Sequence, residues 1–193
     1  MKTICVYCGS RVGTRPVYTA GAVGLGKALV ERGLSLVYGG GNMGLMKVIA
    51  DTVLVGGGHV TGVIPEALIA REGDHKGLSE QITVKTMHER KALMAGRADA
   101  FVAMPGGFGT LEELFEAITW LQLGIQAKPV AVLNLDGFYD PLLAMIDHAH
   151  VQGFISNENR QLLISGDTPA SVLDQLEAFD ATSHRGKWSG LQP

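Results

Sequence analysis

A chain of 193 residues, 46% apolar and 18% charged with a formal net charge of -3, is long enough to bury one continuous core and too weakly charged to form a nucleic-acid surface. No apolar run approaches the ~18 residues of a membrane span, and the opening stretch M-K-T-I-C-V-Y-C-G-S lacks the apolar length and small-residue cleavage site of a signal peptide. Two cysteines, Cys5 and Cys8, are too few for a disulfide-stapled fold, so a soluble protein of a reducing cytoplasm is expected.

In chain order, short β-branched and apolar runs at 3–7, 34–38, 59–64, 82–85, 98–104 and 129–135 read as strands. The segments between them are rich in Ala, Leu, Glu and Lys and read as helices. Strands apolar on both faces and separated by helices imply a parallel sheet covered on both sides. The expected fold is therefore α/β: a three-layer, Rossmann-like, doubly wound parallel sheet. Residues 1–180 are expected to form a single nucleotide-binding hydrolase domain. The last stretch, 181–193, loses periodicity and is expected to be a flexible C-terminal tail. No internal repeat or linker interrupts the pattern.

Three helix starts are signalled locally. Thr86 to Glu89 and Thr110 to Glu113 both fit a capping box, and Thr168-Pro169 places a cap residue before a proline at the first helical position. In the helix after Thr110, the spacing of Leu111, Leu114, Phe115, Ile118 and Leu121 predicts an apolar core face, with Glu112, Glu116 and Thr119 on another side.

The 26 glycines cluster between apolar runs rather than recurring with a period. Three clusters follow strands: Cys8-Gly9-Ser10-Arg11, the run Gly39 to Gly44, and Pro105-Gly106-Gly107-Phe108-Gly109-Thr110. At the carboxyl ends of parallel strands, such loops aim backbone N–H groups and a helix dipole at an anion, and phosphate is the natural occupant. Gly39, Gly41 and Gly44 match G-x-G-x-x-G, but they follow the second strand rather than the first, and no ribose-binding acid stands about 20 residues on. That loop reads equally well as a tight turn. The Pro105–Thr110 nest is the stronger phosphate candidate.

Two further motifs carry little chemistry. Cys5-Val6-Tyr7-Cys8 has C-x-x-C spacing inside a strand, where the two side chains point to opposite faces, so core packing is the expectation. His148 and His150 lack suitable spacing and acidic or cysteine companions, so no metal and no cofactor are expected. No lysine stands in a pyridoxal phosphate context.

The phrases P-G-G-F-G-T-L-E-E at Pro105 to Glu113 and M-H-E-R-K at Met87 to Lys91 together resemble the Lonely Guy family of cytokinin-activating phosphoribohydrolases, often labelled lysine decarboxylases. C-G-S-R near the start, G-G-G-N-M-G-L-M at Gly39 to Met46 and W-L-Q-L-G-I at Trp120 to Ile125 extend the resemblance over about residues 3 to 180. Lys47, where the family commonly has glycine, and Asn157, where it has proline, depart from the pattern.

The resemblance implies hydrolysis of the N-glycosidic bond of a purine nucleoside 5′-monophosphate, either AMP or an N6-substituted, cytokinin-type derivative. It implies Arg90 and Glu113 as the catalytic pair. Around the nucleotide it implies Lys91, Gly106, Gly107, Gly109, Thr110 and Glu112, with Glu72 and Thr119 as further contacts. Ser10 and Gly41, from the other two glycine loops, complete the candidate set. A homodimer or an assembly of dimers, with the site near the subunit interface, is likewise implied.

The residue types suit the chemistry. Ribosyl C–N cleavage passes through an oxocarbenium-like state, and a carboxylate such as Glu113 both stabilises positive charge and activates water. Arg90, permanently charged, suits a clamp on phosphate or ribose, an orienter of Glu113, or a partner for the departing base. Two rival readings stand beside this one: a non-catalytic nucleotide carrier or sensor, and an NAD(P)-dependent oxidoreductase using the Gly39–Gly44 loop.

Overall fold

The computed structural model describes residues 1–73 and 75–180, apart from the side chains of Arg71 and Glu72. The expected tail, 181–193, lies outside the described residues.

Seven strands, β1 (Thr3–Tyr7), β2 (Ser35–Tyr38), β3 (Val60–Pro65), β4 (Glu80–Val84), β5 (Ala100–Ala103), β6 (Val130–Leu133) and β7 (Leu163–Gly166), form one sheet in the order β4-β3-β2-β1-β5-β6-β7. Every pairing is parallel. The doubly wound α/β expectation holds, with β7 as an additional edge strand. The principal helices are α1 (Pro16–Glu31), α2 (Gly44–Val55), α3 (Glu66–Glu72), α4 (Met87–Arg97), α5 (Phe108–Leu123), α6 (Asp140–Val151), α7 (Asn157–Arg160) and α8 (Pro169–Ala178).

Two apolar layers sandwich the sheet. One joins Ile4, Val6 and Leu36 to Leu25 and Leu29 of α1, Ile49 of α2 and Leu173 of α8. The other joins Cys5, Val37 and Phe101 to Met94 of α4, Leu114 and Leu121 of α5 and Ile146 of α6. Cys8 belongs to the first layer and Cys5 to the second, as strand alternation requires, and both thiols are free.

Strand β1 lies between β2 and β5, so the chain reverses its direction of travel across the sheet there. Connections leaving β1 and β5 diverge to opposite faces and open a crevice above the strand ends, the usual ligand position in open α/β sheets. Among the described residues no helix is long and apolar enough to cross a membrane.

Candidate active site

The three glycine loops meet over that crevice. Gly9 N–H donates to Pro105 O at 3.1 Å, extending the β1–β5 pairing past the strand ends, while Gly9 O accepts from Leu45 N–H at 3.0 Å. Gly44 has φ +57, and a Cβ there would run into the Ser10–Arg11 backbone. The Gly39–Gly44 loop therefore supports its neighbour closely and commits an amide of α2's first turn to Gly9. Gly41 is buried and does not line the cleft, whereas Gly39 of the same loop does.

A cleft of ≈ 210 Å³ opens between these loops and helix α4, lined by Ser10, Gly39, Met87, Arg90, Thr110 and Glu113 among others. Its floor is the end of α5. That helix begins at Phe108 with Gly107 as N-cap, and its first ladder bond runs from Leu111 N–H to Gly107 O at 3.0 Å. The N–H groups of Phe108, Gly109 and Thr110 therefore have no intrahelical partner, and all three residues border the cleft. Amides converging at a helix N-terminus form an anion site.

This start corrects one expectation. Thr110 lies in the first turn rather than at the cap, so Thr110 to Glu113 is not a capping box. The buried face of α5 runs through Thr110, Glu113, Leu114, Ala117 and Leu121, and Phe115, expected inside, is exposed. Glu113 thus sits on the core side of its helix at 9% exposure. Burial pushes its carboxyl up to about 7; the charge of Arg90 opposes the rise, Glu112 adds to it, Lys91 opposes it and Glu116 adds again. A carboxyl poised near neutrality suits general acid–base work.

Arg90 is 7% exposed and lines the same cleft. Helix α4 presents it from its first turns, and the helix is well started: Thr86 Oγ1 accepts from Glu89 N–H at 3.1 Å. The Glu89 carboxylate reaches back to Lys85 N–H at 2.8 Å, one residue before the position a standard capping box uses. The guanidinium lies against Gly39, where a Cβ would overlap it. Arg90 Nε is buried without a hydrogen-bond partner, and the guanidinium forms no ion pair among the described residues. A buried charge without its counterpart costs several kcal/mol. An anionic or oxygen-rich ligand in the cleft would supply the missing partner.

The remaining candidates scatter around this centre. Ser10, Gly107, Gly109, Thr110 and Glu112 line the cleft. Gly106 lines an adjoining cavity of ≈ 610 Å³, together with Arg11, Tyr18, Leu45 and Phe138, that shares Gly9, Ser10, Gly107 and Phe108 with the cleft. Lys91 does not line the cleft; its ammonium binds Glu112 and Glu116. Thr119 is exposed about three turns along α5, with its hydroxyl on Phe115 O at 2.7 Å. Glu72 ends α3, and its side chain lies outside the described residues. Gly39, Met46, Met87 and Phe108 also line the cleft, although none of them was among the candidate site residues. All four stood inside quoted motifs, so their positions were readable there. Among the described residues no cluster of His, Cys, Asp or Glu could hold a metal ion.

Residues 46–176 match the family model described as "Possible lysine decarboxylase". The chain is 54% identical over 178 residues to the cytokinin riboside 5′-monophosphate phosphoribohydrolase LOG of Oryza sativa subsp. japonica, covering 92% of this chain and 74% of that relative. The chain belongs to the LOG family. LOG2 of Arabidopsis thaliana, another cytokinin riboside 5′-monophosphate phosphoribohydrolase, is 51% identical over 178 residues, covering 92% of this chain and 84% of its own length. Among solved structures, the molybdenum cofactor binding protein of Rippkaea orientalis superposes with a TM-score of 0.69 at 21% identity, covering 92% of this chain and 97% of its own. The molybdenum cofactor carrier protein of Chlamydomonas reinhardtii gives 0.68 at 21%, covering 92% and 99%. At that identity the solved neighbours share the LOG-family chain's fold alone.

Proposed function

We propose that this chain hydrolyses the N-glycosidic bond of a cytokinin riboside 5′-monophosphate, releasing the free base and ribose 5-phosphate. One observation carries the reading: a buried carboxyl poised near pH 7 and a buried guanidinium, bound through one nitrogen to the Met87 sulfur but with no partner for its Nε, line one cleft beside the open amides of a helix N-terminus. Relatives about half identical in sequence bear the name of that activity.

In the proposed reaction the 5′-phosphate rests on the N–H groups of Phe108, Gly109 and Thr110. Binding this remote group positions the anomeric carbon in front of Glu113. As the C1′–N9 bond breaks, the bonding pair leaves with the purine and positive charge grows on the ribose, which ionised Glu113 stabilises. Water adds to C1′ and gives up a proton to Glu113, which returns it by way of solvent to the departing base, so that one water is consumed and the carboxylate is restored. Arg90 keeps its charge throughout and serves as a clamp on ribose or phosphate rather than as the acid.

A pyridoxal phosphate decarboxylase would need a lysine for its Schiff base. The ionisable groups of this cleft's lining include Arg90, Glu112 and Glu113 and no lysine, so the decarboxylase description is not adopted. Unsubstituted AMP is a second candidate substrate of the same site. The catalytic unit is residues 1–180, acting in a reducing cytoplasm as a homodimer or an assembly of dimers.

The test is chromatographic product analysis with isopentenyl-AMP and AMP side by side, and with the corresponding nucleosides as controls. Base release from the monophosphates alone is expected. Glu113→Gln should lower kcat by about two to four orders of magnitude while circular dichroism stays unchanged. Wild-type turnover in that variant would remove Glu113 from the mechanism.

A further inference from the structure

The family resemblance puts Lys91 around the nucleotide, yet its ammonium is already engaged. Lys91 Nζ lies 2.5 Å from Glu112 Oε1 and 2.9 Å from Glu116 Oε1, and the lysine side chain is only 13% exposed. Lys91 follows Arg90 on α4; Glu112 precedes Glu113 on α5. The two helices lie on one face of the sheet, α4 over β1 to β4 and α5 over β1, β5 and β6. Their first turns thus carry an inner pair, Arg90 and Glu113, bordering the cleft, and an outer set that ties the helices together.

We propose that Lys91 is a positioning residue whose bridge to Glu112 and Glu116 locks α4 against α5 in the register that sets Arg90 across the cleft from Glu113. The inference rests on the reading of Arg90 and Glu113 as the catalytic pair. It accounts for how the inner pair keeps its places with no ion pair of its own. Two charge-assisted hydrogen bonds from one partly buried ammonium hold more firmly than an exposed surface pair. Burial works against the Lys91 charge, but the hydrogen bonds to Glu112 and Glu116 outweigh it and hold its pKa above the ordinary value.

The bridge also sets the field at Glu113. The groups that face this carboxyl are Arg90 and Lys91 from α4, Glu112 and Glu116 from its own helix, and Cys5, Tyr7 and Cys8 from β1 and the residue after it. Burial raises the protonation range of these last three groups, leaving them neutral near pH 7. The local charge balance is then one arginine and one lysine against the glutamates. Removing Lys91 leaves Glu112 and Glu116 uncompensated, which raises the Glu113 pKa. Removing the Glu116 charge lowers it.

The experiment measures kcat and KM for isopentenyl-AMP across pH in the wild type and in Lys91→Met, Lys91→Arg and Glu116→Gln. Lys91→Met should lower kcat by up to about a hundredfold with little change in KM, the cost of a small misplacement. Its acidic limb should move to higher pH, Lys91→Arg should bring both quantities back toward wild type, and Glu116→Gln should move the limb to lower pH. A Lys91→Met enzyme with raised KM, intact kcat and an unmoved limb would make Lys91 a substrate ligand and overturn the proposal. If Lys91→Met fails to fold, Lys91→Arg and Glu116→Gln decide by the same criteria. If the wild type releases no base, the functional reading falls separately; infrared titration of the Glu113 carboxyl then supports the bridge if it shifts down in Glu116→Gln and overturns it if it does not.

Discussion

Glu113 is a carboxyl on the core-facing stripe of a helix, where losing its proton means placing a charge largely withdrawn from bulk water. Its pKa rises from 4.5 to about 7, chiefly through burial. The sign for stability follows from linkage: the folded protein holds this proton more tightly than the unfolded chain, so the group costs nothing below about pH 4.5. The cost then grows through pH 7 toward roughly 3 kcal/mol in the alkaline range. Glu113→Gln should therefore melt at a higher temperature than wild type at pH 8 to 9 and at the same temperature near pH 4. A gain of equal size at both pH values would mean that the burial cost is not what the substitution relieves. Gly39 makes the complementary case at Arg90. A Cβ at this position would overlap the guanidinium, so Gly39→Ala should displace Arg90 and lower kcat by on the order of a hundredfold. The fold should survive, because a flexible side chain can move aside; unchanged kcat would show that Arg90 tolerates displacement.

Helices α4 and α5 deliver these two groups, and their ends decide how well. Thr86 caps α4 through Glu89 N–H. Thr86→Ala should cost about 1 kcal/mol in urea unfolding, with a modest loss of kcat because the frayed turn is the one that carries Arg90. Equal stability of the two proteins would deny the cap its part.

This cap, and that of Thr168 on α8, were legible in the sequence because each side chain bonds the backbone three residues on, within one local pattern. The start of α5 was not. Thr110 to Glu113 has the letters of a capping box, but the cap falls three residues earlier and the helix begins at Phe108, since Gly107 serves as a cap with no side chain to announce it. That shift turns Glu113 from a surface cap into a buried acid and Phe115 from a core residue into an exposed one. β7 was also missed: Leu163–Gly166 is a four-residue edge strand, only partly buried, with too little apolar content to stand out. The five inner strands were readable because both of their faces meet helices. Arg90 and Glu113 were named from motifs alone; that both side chains reach one cleft depends on packing between segments more than 20 residues apart.

At the scale of the molecule, the sheet order places the crevice where β1 separates two oppositely wound halves, and the glycine loops fold over it. Solved proteins named for molybdenum cofactor binding or carriage share this frame, so the frame does not choose the chemistry. The side chains at the strand ends do. Phe108 stands 93% exposed at the cleft, and Met87 and Phe115 add exposed apolar surface on the same two helices. Burial of these side chains against a second copy is the expected arrangement, so sedimentation should show a dimer, and Phe115→Glu should shift it toward monomer. A wild-type chain that sediments as a monomer at micromolar concentration would refute the assembly.

The free amides at the head of α5 and the carboxyl of Glu113 are fixed to one rigid rod, the anion site and the acid separated by a single helical turn. A sugar mimic bearing a ring nitrogen in place of the oxygen and a phosphate at its 5′ end would offer a cation to one and an anion to the other. Such an iminoribitol phosphate should inhibit far more strongly than ribose 5-phosphate, because it carries from the outset the charge that the natural sugar acquires only at the top of its barrier.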